Sequence, residues 1–430
     1  ISVYEYVTAL KSPAAVAVAE PADRALRTLL ADCRRLVSDR GDTFDPVFAQ
    51  GIVAQIEALP EDGRRRYFDH LARDYSPQPQ QVLACAQAYA EAPDQADRLI
   101  RLMQAAEPPR QELLRRLNRA PGGTAAIVRL RRSLLERLPR QPRWSALEHD
   151  LHHLLSSWFN PGFLQMRQVD WSSPAQLLEQ IIRHEAVHEI DGWDDLRRRL
   201  QPDRRCFAFF HPQLPDEPLI FVEVALVPEM SGTIAPLIDK KSPALPAEAF
   251  RVAVFYSISN CQPGLRGVSL GHWLIKRVAE QLQRELPQLR AFCTLSPIPG
   301  LMDWLARAGD GLAFAGWPAA AAERAAQALA VLREATDNDL SRLAHSGGAQ
   351  TSRPVAQALS RLAAHYLIQH SVRPAGDPVA RFHLDNGARL ERLNPMANPT
   401  AKGLRQSAGW MVNYLYDLNR LEATRERFLR

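Results

Sequence analysis

The chain has 430 residues, of which 46% are hydrophobic, and a formal net charge of +5. That length exceeds what one hydrophobic core usually serves, so we expect two domains. The longest apolar runs are far shorter than the roughly 20 residues that a membrane-spanning helix needs, so we expect no membrane helix. Arginine greatly outnumbers lysine, and the basic balance favours polyanionic or phosphorylated partners without choosing between nucleic acid and a nucleotide cofactor.

The cysteine content and the first residues bear on the cellular compartment. The five cysteines are odd in number and form no CxxC pair, which fits reduced thiols in a cytoplasm better than a disulfide framework. Residues 1–11 lack the basic leader and apolar stretch of a secretory signal, and the absent initiator Met suggests trimming, which would hide any targeting segment. We therefore expect a cytoplasmic protein.

The first part of the chain, from Ser12 to about Trp158, has the pattern of consecutive helices. Apolar residues recur at helical spacing in residues 23–38 and again in residues 111–138, where many arginines surround them. Proline and glycine clusters separate these segments. An all-helical domain over residues 1–157 is predicted.

From residue 158 onward the pattern changes to that of a mixed α/β domain, which makes the predicted fold class α+β. One unit is clear: a strand Val252 to Ile258, a polar loop, a helix Gly271 to Leu286, and a strand Leu289 to Leu295. A crossover of this length makes the two strands parallel, and ligands then bind at their carboxyl ends. An Ala-rich helical insertion around residues 316–370 is predicted to cover the sheet.

The loop of this unit is the first candidate site. Glycines at 264, 267 and 271 lead into the predicted helix, where small residues and exposed amides favour binding of a pyrophosphate. The alternative is an ordinary turn between a strand and a helix.

Two further residues are candidates for chemistry. Ser296 begins the string Ser-Pro-Ile-Pro-Gly directly after the second parallel strand, where prolines would hold its hydroxyl in place. The alternative is that Ser296 caps the following helix. His383 is predicted at the end of a strand, Val379 to Leu384, ahead of an Asn-Gly hairpin turn. It is the natural proton donor of this half of the chain, or else a hydrogen-bonded core residue.

Two patterns have a simpler explanation than the function they imitate. His184-Glu-Ala-Val-His188 matches the HExxH pattern of zinc proteases, but no third ligand is evident, and we predict a solvated helix face there. The Arg-rich helices between Arg110 and Arg143 carry interleaved glutamates and show no known DNA-binding spacing, so a solvated face or a subunit contact is favoured over nucleic-acid binding.

Several strings in the second half closely resemble malonyl-CoA decarboxylases. They are WFNPGFL (158–164), VEVAL (222–226), FYSISNCQPGLRGVSLGHWLIKRVAEQLQRELPQL (255–289), LSPIPG (295–300), FHLDNGA (382–388) and SAGWMVNYLYDL (407–418). The resemblance implies a helical amino-terminal domain that serves oligomerisation, as a dimer or tetramer, and a catalytic domain similar to the GNAT acetyltransferase fold.

The resemblance also implies an activity and a set of residues. The reaction would convert malonyl-CoA to acetyl-CoA and CO2 without metal, biotin or other cofactor, and without a nucleic-acid or membrane partner. Ser296 and His383 would be catalytic, with Ser296 holding the malonyl carboxylate or carbonyl and His383 delivering the proton; the reverse assignment stays open. The CoA-binding loop would comprise Arg266, Gly267, Val268, Ser269, Leu270, Gly271 and His272. Ser269 stands where acetyltransferases usually have glycine.

Two rival functions remain at this level. An acyl-CoA N-acyltransferase would use the same loop with a base and a channel for an amine. A helical scaffold or nucleic-acid-binding protein with an inactive α/β domain would show salt-sensitive retention on DNA.

Overall fold

The computed structural model describes residues 21–38, 45–271, 274–308, 317–344, 352–370 and 376–429. The chain divides into two compact units. One comprises the described part of Ile1–Phe159 together with Pro263–Val268, and the other comprises Asn160–Gln262 and the described part of Ser269–Arg430.

The first unit is helical, as the sequence predicts. Its helices are α1 (Pro21–Ser38), α2 (Pro46–Ala58), α3 (Glu61–Asp74), α4 (Pro79–Glu91), α5 (Ala96–Ala106), α6 (Pro109–Asn118), α7 (Gly123–Arg137) and α8 (Ser145–Trp158). Prolines begin several of them, because the first helical turn does not need the missing amide. The apolar faces meet around buried aromatic residues, such as Phe68 and Trp144, whose ring centroids lie 5.2 Å apart.

The second unit is a mixed sheet with helices, so the predicted α+β fold class is confirmed. The strands are β1 (Gln165–Val169), β2 (Arg204–Phe210), β3 (Ile220–Val227), β4 (Val252–Asn260), β5 (Ala291–Thr294), β6 (Ser296–Pro297), β7 (Arg389–Asn394) and β8 (Met411–Tyr416). The helices are α9 (Ala175–His184), α10 (Gly192–Arg199), α11 (Ala235–Ile238), α12 (Leu274–Glu285), α13 (Leu301–Ala308), α14 (Ala319–Ala335), α15 (Arg353–His365), α16 (Pro378–Asp385), α17 (Ala401–Ser407) and α18 (Leu421–Leu429).

The strand order places one parallel pair inside an otherwise antiparallel sheet. β1 to β4 follow one another as antiparallel neighbours, β4 and β5 are parallel, and β8 is antiparallel to β5, β6 and β7. The predicted parallel pair and its crossover helix α12 are therefore confirmed. All eight residues of β3 are buried, and its register with β4 shifts at Glu223/Val224.

β4 pairs with β5 only over the first part of its length. β4 and β5 match from Val252↔Ala291 to Phe255↔Thr294. Beyond that point β4 runs on to Asn260, whereas the chain after β5 pairs with β8 through Ser296↔Val412. The two strands therefore separate beyond Phe255 and Thr294, and Ser296 lies just past that point.

The region predicted as a helical insertion contains α14 and α15, which pack against each other. Residues 345–351 of this region lie outside the described residues. Among the described helices, none is long and apolar enough to cross a membrane.

Candidate active site

Ser296 lies on β6, directly beyond the carboxyl end of β5, and 6% of its surface is exposed. Helix α13 begins five residues later at Leu301, so Ser296 is not its cap. Backbone pairing with Val412 fixes the serine in the sheet instead. The sequence therefore predicted the position correctly, and the helix-cap alternative is wrong.

His383 lies on a helix, so the predicted strand from Val379 to Leu384 is wrong. α16 spans Pro378–Asp385, with Pro378 in its first turn and the Asp377 side chain accepting from the amides of Val379 and Ala380 at 3.0 and 2.9 Å. Gly387 has a φ of +80° and follows the helix end, where glycine commonly terminates a helix. The Asn-Gly pair is thus a helix stop and not a hairpin turn.

The two candidate residues meet although 86 residues of chain separate them. Ser296 Oγ lies 3.0 Å from His383 Nε2, and the other ring nitrogen, Nδ1, lies 2.8 Å from the hydroxyl of Tyr416 on β8. Ser296 donates to Thr294 Oγ1 at 2.9 Å, and Thr294 Oγ1 also accepts from the amide of Tyr414. A hydrogen-bonded row of side chains therefore crosses from β8 to β5.

The direction of each hydrogen bond in this row follows from the number of protons that the hydroxyl groups and the imidazole carry. Because Ser296 uses its single proton towards Thr294, Nε2 must donate to Ser296, and Nδ1 must then accept from Tyr416. Burial raises the pKa of Tyr416 well above its ordinary value, which keeps this phenol protonated and able to donate. The imidazole is thus held as the Nε2–H tautomer, with its hydrogen directed at Ser296.

Burial also lowers the pKa of His383 to about 3. The ring stacks on Tyr414, with centroids 4.6 Å apart and planes 28° apart, and its hydrogen-bond partners Ser296 and Tyr416 are both uncharged. No charged group among them stabilises an imidazolium, and His383 is therefore neutral near pH 7. A nearby anion would reverse this balance by favouring the protonated ring.

The first part of the candidate phosphate loop clusters with the helical unit. Arg131 of α7, which is 1% exposed, donates to the carbonyls of Gly264 at 2.7 Å and Arg266 at 2.9 Å. A Cβ on Gly264 would lie 2.0 Å from the carbonyl oxygen of Val128, so only glycine allows this approach. Gly267 has a φ of +83°, a conformation that favours glycine.

The second part of the loop meets the helix of the candidate histidine. A Cβ on Gly271 would lie 2.1 Å from Cε2 of Phe382, the residue before His383. Glycine at 271 therefore lets the loop and α16 pack closely. Ser269 is exposed, whereas Val268 and Leu270 are largely buried. His272, also predicted in this loop, lies outside the described residues.

Comparison with known proteins identifies the family. The C-terminal domain model of malonyl-CoA decarboxylase matches residues 162–430, and the N-terminal domain model matches residues 75–159. The chain belongs to the malonyl-CoA decarboxylase family. It is 39% identical to the mitochondrial malonyl-CoA decarboxylase of Rattus norvegicus over 331 residues, which cover 74% of this chain and 67% of the relative. The corresponding goose protein, from Anser anser anser, is 38% identical over 372 residues, covering 81% and 73%.

Solved structures of the family agree with the fold. The crystal structure of malonyl-CoA decarboxylase from Rhodopseudomonas palustris has a TM-score of 0.83 and 43% identity, and the match covers 94% of this chain and 96% of that one. The enzyme from Agrobacterium vitis has a TM-score of 0.80 and 42% identity, covering 93% and 95%. The resemblance found in the sequence is thereby confirmed at the level of the family.

In this malonyl-CoA decarboxylase family member, the HExxH string does not form a two-histidine helix. Helix α9 ends at His184, and the next residues leave the helix. Glu185 and His188 are buried, so the predicted solvated helix face is wrong. The Glu185 carboxylate accepts from the hydroxyls of Ser257 and Ser259 and from two backbone amides, which explains why it can be buried. Among the described residues, no group of three or more His, Cys, Asp or Glu side chains is arranged to hold a metal ion.

The Arg-rich helices of the family's N-terminal domain use some of their arginines internally. Arg110 pairs with Asp150 at 2.5 Å and Arg131 pairs with Glu148 at 2.8 Å, and both arginines are buried. Buried guanidinium groups need such partners, because an unpaired charge in the interior is costly. These two arginines therefore support the helical core and are not available to a polyanion.

Thr294, Tyr414 and Tyr416 were not singled out by the sequence analysis. For Tyr414 and Tyr416 the sequence offers one indication, their spacing of two residues on β8, which places both side chains on the same face of the sheet. That face became a site only when β8 was placed beside β5. Pairing across a long sequence separation is not visible in a single sequence.

Proposed function

We propose that the protein decarboxylates malonyl-CoA to acetyl-CoA and CO2 through a thioester enolate. The observation that supports this proposal most strongly is the buried pair of Ser296 Oγ and His383 Nε2, which lie 3.0 Å apart at the point where β4 and β5 separate. Its support comes from the malonyl-CoA decarboxylases named above, which match both halves of the chain.

The proposed chemistry balances with the residues at hand. The bond between the carboxylate carbon and the α-carbon breaks, CO2 leaves, and the electron pair passes into the thioester enolate. Ser296 turns its hydroxyl from Thr294 to the acyl group and binds the carboxylate or the thioester oxygen. Hydrogen-bond donors placed where negative charge develops lower the barrier of such a step.

His383 supplies the proton in this proposal. The enolate is an anion beside a neutral imidazole, and its charge raises the pKa of that ring from about 3. The ring takes up a proton from solvent at Nδ1, and Tyr416 turns its hydroxyl so that its oxygen accepts from Nδ1. The Nε2 proton then passes through Ser296 Oγ to the α-carbon, which becomes the methyl group of acetyl-CoA. Tyr416 holds the ring in position through Nδ1 during this transfer. The thioester itself delocalises the charge, so the proposed reaction needs no metal, biotin or redox cofactor.

CoA binding is proposed at the loop of Arg266, Gly267, Val268, Ser269, Leu270, Gly271 and His272. The amides of Arg266 and Val268 donate to the carbonyls of Pro263 and Leu265, so other amides of the loop would bind the pyrophosphate. The support is the presence of a glycine with positive φ, at Gly267, in a loop that leads towards α12. Binding of the nucleotide remote from the acyl group would supply energy that positions the malonyl unit.

Self-association is proposed through the helical unit, as a dimer or tetramer in the cytoplasm. Helices α4 and α5 pack against each other and contain no buried residue. Their exposed apolar side chains are Leu83 (59%), Leu99 (40%), Ile100 (49%) and Met103 (64%). Two helices of 13 and 11 residues gain little stability without a covered apolar face, and a second copy of the chain would cover it. Size-exclusion chromatography with light scattering, on the wild type and on Met103→Asp, tests this surface.

The function is tested by incubating the purified protein with malonyl-CoA alone and following acetyl-CoA and CO2. Stoichiometric formation of both products supports the proposal. Acyl transfer to an added amine, with no CO2 released, would contradict it.

A further inference from the structure

The buried carboxylate of Asp377 connects the segments that carry Ser296 and His383. Asp377 is 1% exposed and precedes α16. Its Oδ1 accepts both amides of the helix cap, those of Val379 and Ala380. Its Oδ2 accepts the hydroxyl of Tyr366 at 3.3 Å.

These bonds exceed what a helix cap requires. A cap needs one side-chain oxygen, and a serine can supply it. The second oxygen of Asp377 reaches outside its own helix, to a tyrosine at the end of α15. Gly300, which lies against the hydroxyl of that tyrosine, is four residues after Ser296 in the turn before α13. His383 lies six residues after Asp377 on the helix that Asp377 caps.

The turn at Gly300 has little freedom to move. A Cβ there would lie 2.3 Å from the hydroxyl oxygen of Tyr366 and 3.9 Å from Oδ2 of Asp377. Three segments therefore converge on one carboxylate, without any direct contact between that carboxylate and the ring of His383. Burial raises the pKa of Asp377 above its ordinary value, while its bonds to the amides of Ala380 and Val379 oppose the rise.

We propose that Asp377 is a positioning residue that sets the distance between Ser296 and His383. The inference rests on the proposed decarboxylation and deepens it. If the carboxylate is lost, the Ser296 turn and α16 are no longer tied, and the 3.0 Å separation of Oγ and Nε2 is no longer fixed. Misplacement of reacting groups by about 1 Å costs up to about a hundredfold in rate.

The test uses Asp377→Ser, which keeps an oxygen for the cap and removes the one that reaches outside the helix. Asp45 is a matched control, because it precedes α2 in the same Asp-Pro-Val sequence. In the described part of the chain its side chain accepts only the two cap amides, at 2.9 and 3.1 Å. Asp377→Ser should lower kcat about tenfold or more while the KM for malonyl-CoA stays within about threefold. Asp45→Ser should leave both unchanged.

A second readout separates positioning from general stability and does not depend on turnover. In protein labelled with ¹⁵N-histidine, the ring signals of His383 are identified by their loss in His383→Asn. These signals should shift in Asp377→Ser and stay in place in Asp45→Ser. If Asp377→Ser fails to fold, Gly300→Ala is measured in the same two ways, since its methyl group displaces Tyr366 from the carboxylate.

The outcomes distinguish the two proposals. A wild type without decarboxylase activity would refute the proposed function, and the histidine signals would still decide the role of Asp377. A folded Asp377→Ser variant with kcat within twofold of wild type would overturn the inference. A lowered kcat with unmoved His383 signals would overturn it as well.

Discussion

Substitution of Gly271 by alanine tests how closely the proposed CoA loop is coupled to His383. The new Cβ would lie 2.1, 3.0 and 3.1 Å from three ring carbons of Phe382. Ordinary contact begins at about 3.4 Å, so the ring must withdraw by about 1.3 Å, the difference between 3.4 and 2.1 Å. Overpacking of this kind typically costs about 1–3 kcal/mol in stability. Because Phe382 and His383 are neighbours on α16, we expect the shift to move the imidazole from Ser296.

The expected result is a kcat lowered between about tenfold and a hundredfold, the cost of a misplacement near 1 Å. Steady-state kinetics with malonyl-CoA gives kcat and KM, and thermal unfolding gives the loss of stability. Gly51→Ala is the matched control, because no atom lies within 4 Å of its added Cβ. That variant should retain full activity, and it should be stabilised by up to about 1 kcal/mol as a helical glycine replaced by alanine. A folded Gly271→Ala variant with wild-type kcat would refute the coupling.

Three further predictions concern the histidine, its proton and the cofactors. Tyr416→Phe removes the hydrogen bond to Nδ1 and should lower kcat about tenfold, whereas unchanged kinetics would show that this bond does not hold the productive tautomer. His383 and His188 have pKa values lowered to about 3 from 6.5, so an unfolded chain binds protons that the folded one does not as the pH falls below 6.5. The free energy of unfolding should be unaffected by these two histidines above pH 7.5 and should be lower by about 2 kcal/mol per histidine at pH 5. Urea unfolding at both pH values measures this difference, and His383→Asn should show a smaller one. Turnover should survive EDTA and avidin, and loss of activity with EDTA that zinc restores would contradict the proposed metal-free chemistry.

Much of the α/β unit could be predicted because local signals agreed there. The apolar run of β4, the amphipathic α12 and the stop at Pro287 all lie within one short stretch, and the parallel pairing follows from the crossover length. Ser296 was placed correctly for the same reason, since it directly follows β5.

His383 was assigned to the wrong element because two signals competed. Its apolar neighbours and the Asn-Gly pair favour a strand before a hairpin, whereas Asp377 and Pro378 are a helix start. The segment forms a helix because the Asp377 carboxylate satisfies two helix amides that would otherwise be buried without partners.

The sequence also did not show which charged side chains are buried. Glu185 reads as a surface residue until Ser257 and Ser259 of β4 are placed beside it. Arg131 likewise reads as solvated until Glu148 and the carbonyls of Gly264 and Arg266 surround it. Compensating partners that lie far away in sequence decide such cases, and one sequence does not show them.

The most direct test of the central claim is a double-mutant cycle on malonyl-CoA turnover with Ser296→Ala, His383→Asn and the combined variant, each checked for folding. If the two side chains act as one unit on the enolate, each single substitution lowers kcat about a hundredfold or more, and the double variant loses far less than the product of the two effects. Folded single variants that retain near-normal release of CO2 would contradict the claim.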